Sequence, residues 1–192
     1  MSARICCKKT FSIFFIPLFF LICAQTASAQ EVNKGEIPEE QLASTYKKLP
    51  WGATVWDAAE AIPALKKNEN YLWVDNRPES FFKKGTVSGA VLLVYHQKDN
   101  PENTLNEASL EKAITDAGLA KDSAEIVLFC QGPQCHMSYN ATQAVINEWG
   151  YNPENVIWFR GGYPELLKEV KNDPKLKRKA KKYLSDAGIK QL

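Results

Sequence analysis

The feature that most constrains this chain is a set of four short apolar runs spaced along residues 71–159, each bounded by turn formers. They are Tyr71-Leu72-Trp73-Val74, Ala90-Val91-Leu92-Leu93-Val94, Ile126-Val127-Leu128-Phe129 and Val156-Ile157-Trp158-Phe159. Such β-branched and aromatic runs, with no polar residue alternating inside them, read as strands buried on both faces. Residues 51–55 offer a fifth, weaker strand. Helical patterns fall between the runs. Residues 57–67 are Ala-rich, with Pro63 expected to kink or split them. Residues 109–117 carry Leu110, Ala113, Ile114 and Ala117 on one face and stop at Gly118. Residues 138–149 carry Ala141, Ala144, Val145 and Trp149 and stop at Gly150. Residues 164–170 open with a tolerated proline. Strands alternating with helices predict an α/β domain with a mainly parallel sheet over residues 51–170.

The flanks differ from this body. Residues 1–29 have the three parts of an export signal. Arg4, Lys8 and Lys9 are basic, residues 11–23 are apolar apart from the break at Pro17, and Ala27-Ser28-Ala29 precede Gln30 as the expected cleavage site. The apolar run is short for a membrane span. Cleavage would leave 163 residues, the size of one domain, and would change the formal charge from +2 to −1. No stable membrane span is then expected, and the location is periplasmic or secreted. Residues 30–50 are polar and read as a loose N-terminal arm. Residues 171–192 read as a basic C-terminal helix, the helix itself expected over 174–187 after the Asp173-Pro174 start. Lys168 to Leu192 hold nine basic and three acidic residues, whereas residues 30–167 hold twelve and nineteen. The bland reading is a solvated helix lying on an acidic body, and the sharper one binds an anionic surface. Few aromatics interleave with these lysines, so nucleic acid is not an expected partner.

Of five cysteines, only Cys130 and Cys135 lie outside the leader. A bond between them would close a tiny loop and add little stability, so the pair points to chemistry rather than to stapling. Cys130 ends a buried strand. Gln131, Gly132, Pro133, Gln134, Cys135, His136, Met137 and Ser138 follow, leading into a helix. Ligands of parallel α/β sheets sit at the carboxyl ends of strands. There, loop amides and a helix N-terminus favour an anion and lower a thiol's pKa. Residues 131–138 therefore form a candidate anion cradle around a nucleophilic Cys130.

Four segments carry a resemblance to the rhodanese-like domain family. Beside the Cys130 loop, residues 72–81 (Leu-Trp-Val-Asp-Asn-Arg-Pro-Glu-Ser-Phe) resemble the family's strand, Asp-x-Arg and acidic-aromatic segment. Gly85-Thr86-Val87-Ser88-Gly89-Ala90 resembles its Gly-x-Ile-x-Gly-Ala approach to the next strand. Residues 156–163, ending Arg160-Gly161-Gly162-Tyr163, resemble its late strand and Gly-Gly turn. The resemblance implies a parallel sheet of about five strands with helices on both faces. It also implies a sulfurtransferase that takes sulfane sulfur from a small donor, thiosulfate, a persulfide or another sulfane compound. The sulfur would be held as a Cys130 persulfide and passed to a thiol acceptor. The loop departs from the common Cys-x-x-Gly-x-Arg-Ser pattern and is similar to a Cys-x-Gly-Pro-x-Cys subgroup, some of whose members are linked to periplasmic oxidation systems using quinone cofactors. His136 stands where related phosphatases place an arginine.

The residues leave alternatives open. Cys135 is a resolving thiol, the nucleophile itself, or a loop residue. His136 either modifies the site or caps the helix. Asp75 and Arg77 form a structural ion pair or add positive potential at the site, and Arg160 is a similar accessory candidate. The chain as a whole reads second as a thiol–disulfide redox protein, or as a non-catalytic sulfur-carrier or binding module for a periplasmic partner protein. No cofactor is expected. No metal site is expected either, because Cys130, Cys135 and His136 crowd one loop without a fourth ligand.

Overall fold

The computed structural model describes residues 30–67 and 70–192; the leader expected over residues 1–29 lies outside them. Five parallel strands form one sheet: β1 (Thr54–Trp56), β2 (Tyr71–Asp75), β3 (Val91–Leu92), β4 (Glu125–Phe129) and β5 (Val156–Phe159), in the spatial order β1-β5-β4-β2-β3. The helices are α1 (Glu39–Leu42), α2 (Ala58–Lys67), α3 (Glu79–Phe82), α4 (Glu107–Asp116), α5 (His136–Asn147), α6 (Gly162–Asn172), α7 (Pro174–Lys177) and α8 (Asp186–Ile189).

Strand periodicity sorts the apolar runs into two cores. Leu72, Val74, Ile126, Leu128, Val156 and Trp158 face α4, α5 and the N-terminal segment. Trp73, Val127, Phe129, Ile157 and Phe159 face α2, α6 and the C-terminal segment. The absence of alternation in the sequence is thus the mark of a sheet covered on both sides. Among the described residues, no helix is long and apolar enough to cross a membrane.

Three expectations are corrected. First, α2 runs unbroken through Pro63. Pro63 and Ala59 both lie on the helix's exposed face, so the carbonyl that proline deprives of a donor is open to water. Second, residues 30–50 are not loose. Ile37, Gln41 and Leu49 are buried. The Val32 amide donates to Asn140 Oδ1 (3.1 Å), and Asn140 Nδ2 donates back to the Val32 carbonyl (2.9 Å). Tyr139 donates its hydroxyl to Gln41 Oε1 at 2.8 Å. Third, the basic tail is not one helix. Leu184 bridges to Val87, Ser88 N donates to the Tyr183 carbonyl, and Ser185 N to that of Thr86. This pairing forces extended backbone at Ser185 and divides the segment into α7, a 3-10 turn (Ala180–Lys182) and α8. Leu176, Ala180, Tyr183 and Leu184 anchor it in the core while its lysines stay exposed.

Arg160, 3% exposed, clamps the N-terminal segment. Its Nε and Nη2 donate to Asp57 at 2.9 and 2.5 Å, and Nη1 donates to the carbonyls of Gln41 (3.0 Å) and Ala43 (2.5 Å). Arg160→Met should leave Asp57 and these carbonyls without their donor, costing about 3 kcal/mol in urea denaturation. A loss indistinguishable from zero would show that the clamp carries no stability.

Candidate active site

β4 delivers Cys130 to the carboxyl edge of the sheet, and α5 begins only six residues later. Between them Gly132 adopts φ +128°, which an L side chain rarely accepts, and the Cys135 amide donates to the Gly132 carbonyl at 2.9 Å. This tight turn sets the two cysteine Cα atoms 6.1 Å apart, and they are joined in a disulfide. The two sulfurs are not equivalent in their surroundings. Cys130 is 1% exposed and sits on Val94 and Met137, whereas Cys135 is only partly buried.

α5 starts two residues earlier than the periodicity suggests, so the loop proper is Cys130 to Cys135. His136, Met137 and Ser138 are its first helical turn. Cys135 occupies the N-cap position. Among the described residues no side chain caps this end, and no acid lies in the first turn. First-turn amides have no intrahelical partners and carry the positive end of the helix dipole. They therefore lie next to the cysteine loop, an arrangement that in general favours a negative charge there. Ser138 itself is turned inward, its Oγ accepting from Trp158 Nε1 at 3.2 Å.

Asp75 and Arg77 are brought to the same edge, but they face each other. Asp75 Oδ2 accepts from Arg77 Nη2 and Thr86 Oγ1, both at 2.6 Å; Oδ1 accepts from Arg77 N at 3.0 Å and Nε at 2.9 Å. Nη1 donates to Gln131 Oε1 at 2.8 Å, Nη2 also reaches the Gly85 carbonyl, and the guanidinium lies 4.6 Å from the Tyr163 ring centroid. The pair is buried and through Gln131 is tied to the loop, and Arg77 also lines the cysteine cleft. Arg160 does not join it. Its charge is spent on Asp57 and the arm, and it lines an adjoining cleft of about 490 Å³ that shares Gln131, Gly132 and Pro133 with the cysteine cleft but contains neither cysteine.

The Gly-Gly turn completes the frame. Gly162 has φ +61°, the Tyr163 amide donates to the Cys130 carbonyl at 3.1 Å, and a Cβ on Gly162 would collide with that carbonyl oxygen. The cleft holding both cysteines measures about 460 Å³, with Lys34, Pro78 and Phe81 on its rim. Sequence reasoning singled out neither Lys34 nor Pro78 as a site residue, because Lys34 arrives only through the docking of the arm: Gly35 N donates to the Gln134 carbonyl at 3.3 Å. Phe81 carries a weak signal, as the aromatic that follows the Asp-x-Arg segment.

His136 does not supply a positive charge. Burial is the main cause that pushes its pKa below the ordinary 6.5, with His96 and Lys34 adding to the effect and Glu31 opposing it. Its Nδ1 is buried with no hydrogen-bond partner among the described residues.

Residues 58–169 match the family model described as Rhodanese-like domain. No curated protein matches the chain. Similar solved structures include the BH2092 protein from Bacillus halodurans (24% identity, TM-score 0.41), which aligns over 56% of this chain and 66% of its own. The chain thus spans just under two thirds of that protein. An As-Sb reductase from Leishmania major is 17% identical over 65% of this chain and 83% of its own, with TM-score 0.47. The rhodanese-like domain of an Anabaena protein is 19% identical over 62% and 75%, with TM-score 0.39.

Two outcomes follow from this geometry. Gly162→Ala should lower stability by about 2 kcal/mol, from a strained backbone conformation. It should also slow alkylation of the reduced Cys130 by iodoacetamide, because the displaced carbonyl belongs to that residue; unchanged melting and alkylation would contradict the close packing. For His136 the folded pKa lies below the unfolded one, so the unfolded state binds more protons as pH falls. Its contribution to stability is complete above the unfolded value and is lost as pH falls through 6.5 towards the lower folded value. His136→Gln should therefore flatten the fall in urea stability between about pH 7 and 5. A parallel pH profile in the two proteins would contradict it.

Proposed function

Because the chain belongs to the rhodanese-like domain family, we infer that it is a periplasmic sulfurtransferase that moves sulfane sulfur through a persulfide on Cys130. The observation that carries this reading is the position of Cys130. It lies at the end of a central strand, one turn before the uncapped N-terminus of α5. The leader-like sequence, which leaves two cysteines downstream of it, supports export.

In the reduced protein the Cys130 thiolate attacks the outer sulfur of a sulfane donor. The donor's S–S bond breaks and the remainder leaves as an anion, towards the first-turn amides of α5. With thiosulfate the leaving group is sulfite. An acceptor thiol then takes the sulfur. Cys135 offers a second exit. Its thiolate attacks Cys130 Sγ, hydrosulfide departs with the electron pair, and the Cys130–Cys135 disulfide forms. The sulfane sulfur is reduced in that step and the two thiols are oxidised, so a thiol reductant must reopen the bond before another round.

The disulfide also favours a second reading, a thiol–disulfide redox protein using the same two cysteines. Intact mass separates the two. Reduced protein exposed to thiosulfate or a polysulfide should gain one sulfur atom. Cys130→Ser should gain none, and Cys135→Ser should hold the sulfur longer than the parent chain. Loss of two hydrogens that needs both cysteines, with no sulfur gained by any variant, would transfer the assignment to the redox reading.

A further inference from the structure

Away from the cysteines, the C-terminal segment gathers charge and the fold fixes it in place. Residues 168–192 hold nine basic and three acidic residues, and Lys175 to Lys182 hold six basic residues with no acid among them. All nine basic residues are exposed, whereas Leu176, Ala180, Tyr183 and Leu184, interleaved with them, are buried. The backbone is fastened as well. Ser88 Oγ donates to the Lys181 carbonyl at 2.9 Å, beside the bridge between Leu184 and Val87. Gln191 Nε2 donates to the Lys84 carbonyl, which sets a further exposed lysine next to the segment. These cations stand on a folded surface rather than on a free tail.

A solvated helix lying on an acidic body would pair its lysines with that body's carboxylates. The lysines that do so are elsewhere: Lys47, Lys48, Lys83, Lys98, Lys112 and Lys121 each meet an Asp or Glu. Among the described residues, none of the nine tail cations and not Lys84 pairs with an Asp or Glu side chain. Lys177 donates to the Leu192 backbone oxygen at 3.1 Å. The segment's own acids leave most of the charge standing. Asp173 caps α7, accepting from the Lys175 amide at 2.7 Å, and neither Glu169 nor Asp186 forms an ion pair among the described residues. Six like charges over eight residues repel one another, and nothing within the described chain relieves that repulsion. An anionic surface outside the molecule would.

The residue types on this face decide what that surface is. Eight of the nine cations are lysine and one is arginine. A lysine ammonium is a hydrated point charge that needs no fixed geometry, whereas the centre of a protein–protein interface is enriched in arginine, methionine and aromatics and depleted in lysine. The face also lacks an apolar centre. Phe81 is the one large hydrophobic side chain exposed among the described residues, and it lies at the cysteine cleft. Tyr183, the segment's one aromatic, is buried, so nucleic-acid bases find no stacking surface. A cluster of four to eight lysines and arginines does match the diffuse charge of lipid headgroups. We propose that the face built on Lys175 to Lys182, with Lys84 beside it, docks this protein on the surface of an anionic lipid bilayer. Contact is by charge alone, without insertion into hydrocarbon, and it is independent of the sulfur chemistry at Cys130.

The test is co-sedimentation of the purified protein with two kinds of vesicle, one of phosphatidylcholine alone and one in which about a third of the lipid is phosphatidylglycerol. At low salt the anionic vesicles should bind about a hundredfold more tightly than the neutral ones. Salt at about 0.5 M should abolish the difference, because the contact is solvent-exposed and screened. Lys181→Gln combined with Lys182→Gln should weaken binding to the anionic vesicles about twentyfold. Lys47→Gln combined with Lys48→Gln removes the same charge from ion-paired positions and should change it less than twofold. All four residues are exposed, so the variants should fold. Equal binding to both kinds of vesicle, or equal effects of the two double variants, would overturn the proposal. So would a salt-sensitive complex with an acidic protein formed while the anionic vesicles stay unbound, which would give the face to a protein partner.

Discussion

At the carboxyl edge of the sheet, one buried guanidinium holds four segments together. Arg77 is 2% exposed and Asp75 fully buried, an arrangement that costs several kcal/mol of desolvation unless every donor is met. Here they are met. Asp75 closes β2, Gly85 and Thr86 belong to the approach to β3, Gln131 belongs to the cysteine loop, and Tyr163 starts α6. The loop and the Gly-Gly turn are therefore referenced to the same point. A charge used this way is unavailable to a ligand. The cationic character of the site comes instead from backbone amides and from one lysine.

That division of labour bears on what the cysteine pair can bind. Where related phosphatases present an arginine, this chain presents His136, its pKa lowered by burial, whose Nδ1 finds no partner among the described residues. The two cysteines differ in burial: Cys130 is buried among Val94 and Met137, whereas Cys135 is only partly buried.

Much of this was legible in the chain itself, for physical reasons that differ by segment. The central strands were readable because a strand covered on both faces needs no polar residue, and Ile126 to Phe129 contain none. The cysteine loop was readable because Gly132 and Pro133 interrupt the pattern between a strand and a helix. The start of α5 was misplaced by two residues, since Cys135 and His136 have no strong capping preference and the helix begins there through the turn at Gly132. Pro63 was misread because its effect depends on which face it occupies, which only the packing decides. The Asp75–Arg77 pair was recognised, but its bond to Gln131 was not, because nothing local relates positions 77 and 131.

The two flanks show the limit of composition as a guide. Residues 30–50 are polar on average, yet they are held by backbone and amide hydrogen bonds to Asn140, Gln134 and Arg160, which a hydropathy average does not register. The tail is strongly basic, yet four of its residues are core. This matters for the site. The family model matches residues 58–169, so both Lys34 and Asp57 lie outside the matched region. Asp57 fixes Arg160, Arg160 fixes the arm, and the arm brings Lys34 to the cleft beside Phe81. The fold accounts for where Cys130 is held. The segment that precedes the fold's first matched helix places Lys34 on the wall of the cysteine cleft.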